Sequence, residues 1–85
     1  MSKEINIKKK LGDIITTHRK VKFPKDSQED FAKRTGVGST TMNRIETGTG
    51  NVGIDSYISA LETLKIENQL SNLLSEIIIK VTKAP

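Results

Sequence analysis

The sequence has no cysteine, a single histidine, two prolines and no long apolar run, and each shortage removes a class of protein. Without cysteine there is no disulfide framework and no thiolate zinc site, so the core must rest on packing or on a partner subunit. His18 has no acidic or sulfur-bearing cluster near it in sequence, which makes it a helix-face side chain rather than a metal ligand; no metal and no other cofactor is expected. No stretch approaches the ~18 consecutive apolar residues that span a bilayer, and the basic start MSKEINIKKK lacks the apolar run of a signal peptide. The expected location is the cytoplasm, with no membrane partner. Few prolines, together with 34% hydrophobic and 28% charged residues, mark a folded domain rather than a disordered tail. Eighty-five residues bury only a modest core, so a single domain over 1–85 is expected and a two-domain enzyme is excluded.

The charge that is present is unevenly placed. Residues 1–25 hold eight basic and two acidic side chains, whereas the remainder holds six basic and eight acidic ones, within a net charge of +4. Such asymmetry suggests an N-terminal region that meets a polyanion; a solvated helix face with a basic tail has about the same claim on charge alone, and residues 1–5 are expected to be a flexible arm.

Apolar residues at Ile7, Leu11, Ile14 and Ile15 lie on one face of an amphipathic helix over about 6–20, which Pro24 separates from the next helical segment. Ser27 is placed to cap a short second helix over about 28–34, with Glu29 and Asp30 at its positive end and Gly36 as its stop. A third helix over 39–46 carries Met42 and Ile45 on one face and ends at Gly48 in a left-handed cap. Ile54, Ile58, Leu61 and Leu64 mark a fourth helix over about 54–65, and Leu70, Leu73, Leu74 and Ile77 a fifth from Glu67 onwards. The β-branched run Ile77 to Thr82 leaves a short C-terminal strand open. The fold class is therefore all-α, five helices with that one alternative.

Gly48-Thr49-Gly50-Asn51-Val52-Gly53 matches the letters G-x-G-x-x-G of dinucleotide-binding loops. The motif requires a preceding strand and a βαβ unit, but here it comes after a helix and leads into helical pattern. These glycines read as a helix stop, a turn and the entry to the fourth helix. No convincing nucleophile–base arrangement appears elsewhere, so an enzyme is not expected.

Two short helices joined by a glycine turn form a shape whose second helix can lie in a DNA major groove. The run Gln28-x-x-x-Ala32-x-x-x-Gly36-Val37, followed by Met42, Ile45, Glu46 and Gly48, resembles the Cro/cI (lambda-repressor-like) helix-turn-helix family over about residues 8–75. Ala32 is small where the helices nearly touch, and Phe31, Val37, Met42 and Ile45 are the expected seam. The sequence departs from that family at Thr35, at Gly38, at Lys65 where a glycine often closes helix 4, and in a longer connection before Gln28. The resemblance implies a lambda-repressor-like fold in which an arginine of helix 1, here Arg19, pairs with the glutamate ending the recognition helix, here Glu46.

With Met42 and Ile45 facing inward, Ser39, Thr40, Asn43 and Arg44 face outward and Thr41 is intermediate. By resemblance, Ser39, Thr40 and Arg44 take base-contact positions and Gln28 is a phosphate anchor. Arg44 suits guanine, Thr40 the thymine methyl, and Asn43 adenine or phosphate, with Thr47, Thr49 and Asn51 as backbone contacts. Residues 67–82, with Leu70, Leu73, Leu74, Ile77 and Ile79, form the expected dimer surface. The leading expectation is a repressor that binds double-stranded DNA as a homodimer on a palindromic operator. The alternatives are an antitoxin resembling the HipB type, which neutralises a kinase-like toxin and represses its own operon, and an interaction adaptor without DNA binding.

Overall fold

A computed structural model describes the backbone of residues 6–82 and the side chains of residues 6–78. Five helices occur in the order α1 (Ile7–Lys22), α2 (Gln28–Thr35), α3 (Ser39–Thr47), α4 (Ile54–Thr63) and α5 (Glu67–Thr82). The described residues contain no strand. The short C-terminal strand left open by the sequence is thus not formed, and α5 runs helical through the β-branched stretch. A strand is stable only beside a pairing edge, whereas a helix bonds its own backbone, and no such edge exists among the described residues. No helix among them is long and apolar enough to cross a membrane. The expected arm at 1–5 lies outside the described residues.

The core consists of Ile15, Phe31, Ala32, Met42, Ile45, Tyr57, Ala60, Leu61, Leu64 and Ile66, with Leu11, Phe23, Val37, Val52 and Leu70 packed at its margin. The expected seam of Phe31, Val37, Met42 and Ile45 is present. Two expected stripes are rotated, however. Ile7 and Ile14 of α1 and Ile54 and Ile58 of α4 are exposed. In α1 the buried residues are Gly12, Ile15 and Arg19, because the helix turns toward α3 the face on which Gly12 permits a close backbone approach and Arg19 finds a charge partner. A Cβ added at Gly12 would lie 2.5 Å from the Ile45 carbonyl oxygen and 2.7 Å from that of Glu46. In α4 the buried face is Tyr57, Ala60 and Leu61, continued by Leu64. Tyr57 carries the one orphan among the described side chains, a buried hydroxyl without a hydrogen-bond partner.

Helices α2, α3 and α4 end in the same way. After α2, the Val37 N–H donates to the Ala32 carbonyl and the Gly36 N–H to that of Lys33. After α3, Thr49 donates to Arg44 and Gly48 to Ile45; after α4, Ile66 donates to Leu61 and Lys65 to Glu62. This paired stop needs a left-handed residue at its centre. Gly36 (φ 76°) and Gly48 (φ 71°) supply it without strain, but at the third stop the residue is Lys65, at φ 62°. The end of α4 is held closed by the buried Leu64 and Ile66 and by the Lys22 ammonium, which donates to the Leu64 carbonyl.

Two substitutions should act with opposite signs. Gly12→Ala should lower the stability measured by urea denaturation by ~1–3 kcal/mol, despite alanine's better helix propensity, because the new methyl meets backbone rather than a movable side chain. Unchanged or raised stability would show that α1 can withdraw from α3. Lys65→Gly should instead stabilise by up to ~1 kcal/mol, by removing a left-handed non-glycine residue; a fall in stability would show that the Lys65 backbone is not strained.

Candidate nucleic-acid interface

The direction in which α3 faces is decided at its two ends. At the first, α2 begins with a reciprocal capping box: Ser27 Oγ accepts from the Asp30 N–H at 3.1 Å, and Asp30 accepts from the Ser27 N–H at 3.1 Å. It then stops at Gly36, and extended backbone at Gly38 leads into α3. The departure at Thr35 is accommodated because its hydroxyl donates to the Ala32 carbonyl at 2.8 Å. Gly38 offers no side chain to cap α3, which leaves its first amides open.

At its other end, α3 carries Glu46 inward. The carboxylate accepts from Arg19 Nε at 2.8 Å and from Arg19 Nη2 at 3.0 Å, a two-pronged pair, and from Gln28 Nε2 at 3.1 Å. Arg19 and Glu46 are both buried, at 9% and 7% exposure. Arg19 also donates to the Asp26 carbonyl at 3.4 Å. The pairing implied by the family resemblance is present although the connection before Gln28 is long. That connection is itself pinned. Arg34 lies 4.2 Å over the Phe23 ring and donates to the Asp26 carboxylate, including from Nη2 at 3.1 Å. The hydrogen bond from Arg34 holds the Asp26 carboxyl below the usual carboxylate range, against a partial desolvation that works the other way. The Phe23 and Phe31 rings meet at 5.9 Å beneath it.

With Met42, Ile45 and Glu46 buried, the opposite edge of α3 is polar and open. Ser39, Thr40, Asn43, Arg44 and Thr47 are exposed and Thr41 is half-buried. Nine residues give an edge of roughly 13 Å, close to the width of a DNA major groove of about 12 Å. Gln28 is half-buried beside this edge, and one of its two amide protons is committed to Glu46. Thr47 Oγ1 donates to the Asn43 carbonyl at 2.8 Å and lies 2.8 Å from Thr49 Oγ1, so these two hydroxyls are largely satisfied within the protein.

Sequence reasoning did not single out Lys8, and it read Gly50 only as part of a turn. The Lys8 ammonium donates to the Gly50 carbonyl at 2.8 Å, which joins the first turn of α1 to the loop after α3. Gly50 is left-handed at φ 69°, and a Cβ there would lie 2.9 Å from Arg44 Cδ. The glycine of the G-x-G-x-x-G letters thus makes room for an arginine stem. Its spacing in sequence could not reveal that contact.

On α5, Leu70 is half-buried while Leu73, Leu74 and Ile77 are exposed at 52–53% and Ile78 at 63%. The Ile79 side chain lies outside those described. A groove of about 250 Å³ runs between α1 and the α4–α5 corner, lined by Leu11, Ile14, His18, Leu61, Ile66, Gln69, Leu70 and Leu73. Comparison with known proteins finds no matching family model, no matching curated protein and no matching solved structure.

Removing the carboxylate should unfasten this arrangement. Glu46→Ala leaves a buried guanidinium without its partner and should cost ~3–5 kcal/mol, whereas Glu46→Gln, which keeps hydrogen-bond acceptance, should cost less. Denaturation midpoints of the two variants measure this; equal small losses would show that Arg19 escapes to water.

Proposed function

We propose that this chain is a sequence-specific DNA-binding regulator, a repressor of the lambda-repressor-like helix-turn-helix type, with α2 and α3 as the two helices and α3 as the one that enters the major groove. The observation that carries the reading is the two-sidedness of α3. Its inner residues Met42, Ile45 and Glu46 are locked to α1 and α2, while Ser39, Thr40, Asn43 and Arg44 are presented on an open polar edge. A polar edge of groove width on a fixed helix suits direct reading of base edges, since the backbone that carries it needs no further ordering on binding. In this role Arg44 reads guanine by two parallel hydrogen bonds. Ser39, Thr40, Thr41 and Asn43 read or flank neighbouring positions, Gln28 contacts a phosphate with its second amide proton, and Thr47 contacts one once its hydroxyl turns from the Asn43 carbonyl.

One α3 contacts too few base pairs to be selective, so the protein acts as a homodimer on a palindromic operator, with half-sites about 34–36 Å apart. The exposed Leu73, Leu74 and Ile77 of α5 are the dimer surface, since burying them is favourable and leaving them in water is not. The same apolar face supports a second reading, an antitoxin of the HipB type that keeps the DNA contact and covers a kinase-like toxin. A chain that is monomeric alone, while a neighbouring gene product binds α5, would favour the antitoxin. An adaptor without DNA binding would show an affinity for its partner that barely responds to salt. The site of action for a DNA regulator of this kind is the cytoplasm.

Selection of bound duplexes from a random pool should return a two-fold symmetric site with half-site centres one helical turn apart. On that site Arg44→Ala should cost ~1–3 kcal/mol and relax one base preference. An equal loss on unrelated DNA would remove Arg44 from base reading, and a pool that yields no enriched sequence would end the repressor reading.

A further inference from the structure

Two cations approach Gly50 from different elements. The Lys8 ammonium, on the first turn of α1, holds the Gly50 carbonyl at 2.8 Å. Arg44, on α3, lays its stem against the same residue, so that a Cβ at Gly50 would lie 2.9 Å from Arg44 Cδ and 3.3 Å from Nε. The two charged groups are therefore within roughly 10 Å of each other, about one screening length at ordinary salt.

Among the described residues neither cation makes an ion pair. Asp13 is taken by Lys9 at 2.7 Å, Glu46 by Arg19 and Asp26 by Arg34. Like charges brought together without an acid between them repel, and an anion bound at Lys8, within a screening length of Arg44, relieves the repulsion. Lys8 uses one of its three ammonium protons on Gly50 and keeps two, and the guanidinium of Arg44 makes no hydrogen bond among the described residues. The Thr47 and Thr49 hydroxyls are occupied with each other and with the Asn43 carbonyl, so among the described residues the two cations are the charged donors left free at this point.

We infer that Lys8 is a phosphate-contacting residue that brings α1 into the nucleic-acid interface, and that Lys8, held at Gly50 beside the base-reading Arg44, takes one backbone phosphate of a DNA duplex. The inference rests on the proposed DNA reading and deepens it. Arg44 faces the base edges with its planar fork, while Lys8, a compact point charge on a flexible stem, contributes affinity without sequence information. Gly50 joins the two, since its carbonyl anchors Lys8 and its missing side chain admits Arg44.

Salt titration isolates this contact. With a labelled duplex carrying the selected site, affinity is measured by fluorescence anisotropy between about 50 and 200 mM salt. Lys8→Gln should lower the slope of log affinity against log salt by about 0.9, the share of one phosphate, and leave the base preference unchanged. Lys8→Arg should restore the slope. Lys20→Gln, exposed on the same helix about 18 Å further along, should leave it as it was. Lys8 is itself exposed, so the thermal midpoint of the Lys8→Gln protein should match that of the parent. A parent that binds steeply in salt together with a Lys8→Gln variant of identical slope would overturn the inference and leave the DNA reading standing. A parent with no salt-dependent affinity for any duplex would overturn both.

Discussion

The Glu46 carboxylate accepts from Arg19 of α1 and Gln28 of α2 at the end of α3, and through it three helices share one register. Taking an ion pair out of water costs several kcal/mol per ion, and only good geometry with further hydrogen bonds offsets that cost. Here the two-pronged Arg19 contact and the Gln28 amide supply both. The consequence is directional, because apolar packing of Met42 and Ile45 would tolerate a small rotation of α3 that a fixed set of hydrogen bonds does not. Gly12 makes the arrangement sterically attainable. Without a side chain there, α1 approaches the α3 carbonyls closely enough for Arg19, two turns further on, to reach Glu46.

The openness of the polar edge of α3 depends on that inner locking. The inward residues are held by partners within the protein, which keeps Ser39, Thr40, Asn43 and Arg44 turned outward, and the loop after α3 continues the same division. Thr47 and Thr49 satisfy each other, whereas Lys8 and Arg44 are left facing the solvent with spare donors. The basic excess of residues 1–25 is correspondingly divided. Arg19 is committed to Glu46, Lys9 to Asp13 and Lys22 to the Leu64 carbonyl, while Lys8 is joined to the loop after α3.

At the other end of the molecule the balance is apolar. Ile66 and Leu70 seal the base of α5, but beyond them the helix rises past the small core, and Leu73, Leu74, Ile77 and Ile78 remain exposed. A chain of 85 residues can cover only so much of its own apolar surface. Exposed leucines and isoleucines at successive turns of one helix are what a second macromolecule would bury.

Helix number and helix ends were legible in the sequence because they are local. Ser27 caps, Gly36 and Gly48 take left-handed angles, and apolar spacing of three and four marks each segment, all within a few residues of the event they cause. Lys65 was harder to read, because a lysine carries no local sign that its backbone is left-handed; the packing of Leu64 and Ile66 imposes it. Periodicity identified the outward residues of α3 but misjudged which stripe α1 and α4 bury. The amphipathic pattern of α1 ranks isoleucines above a glycine and an arginine, whereas the buried contact is governed by closeness of approach and by a charge partner 27 residues away. The sequence by itself thus determined the helical elements, their stops and the polar edge of α3. Only the tertiary structure decided that Gly12 is a contact point and that Lys8 and Arg44 meet at Gly50, because those relations join residues 33 to 42 positions apart, and local spacing carries no information across such distances.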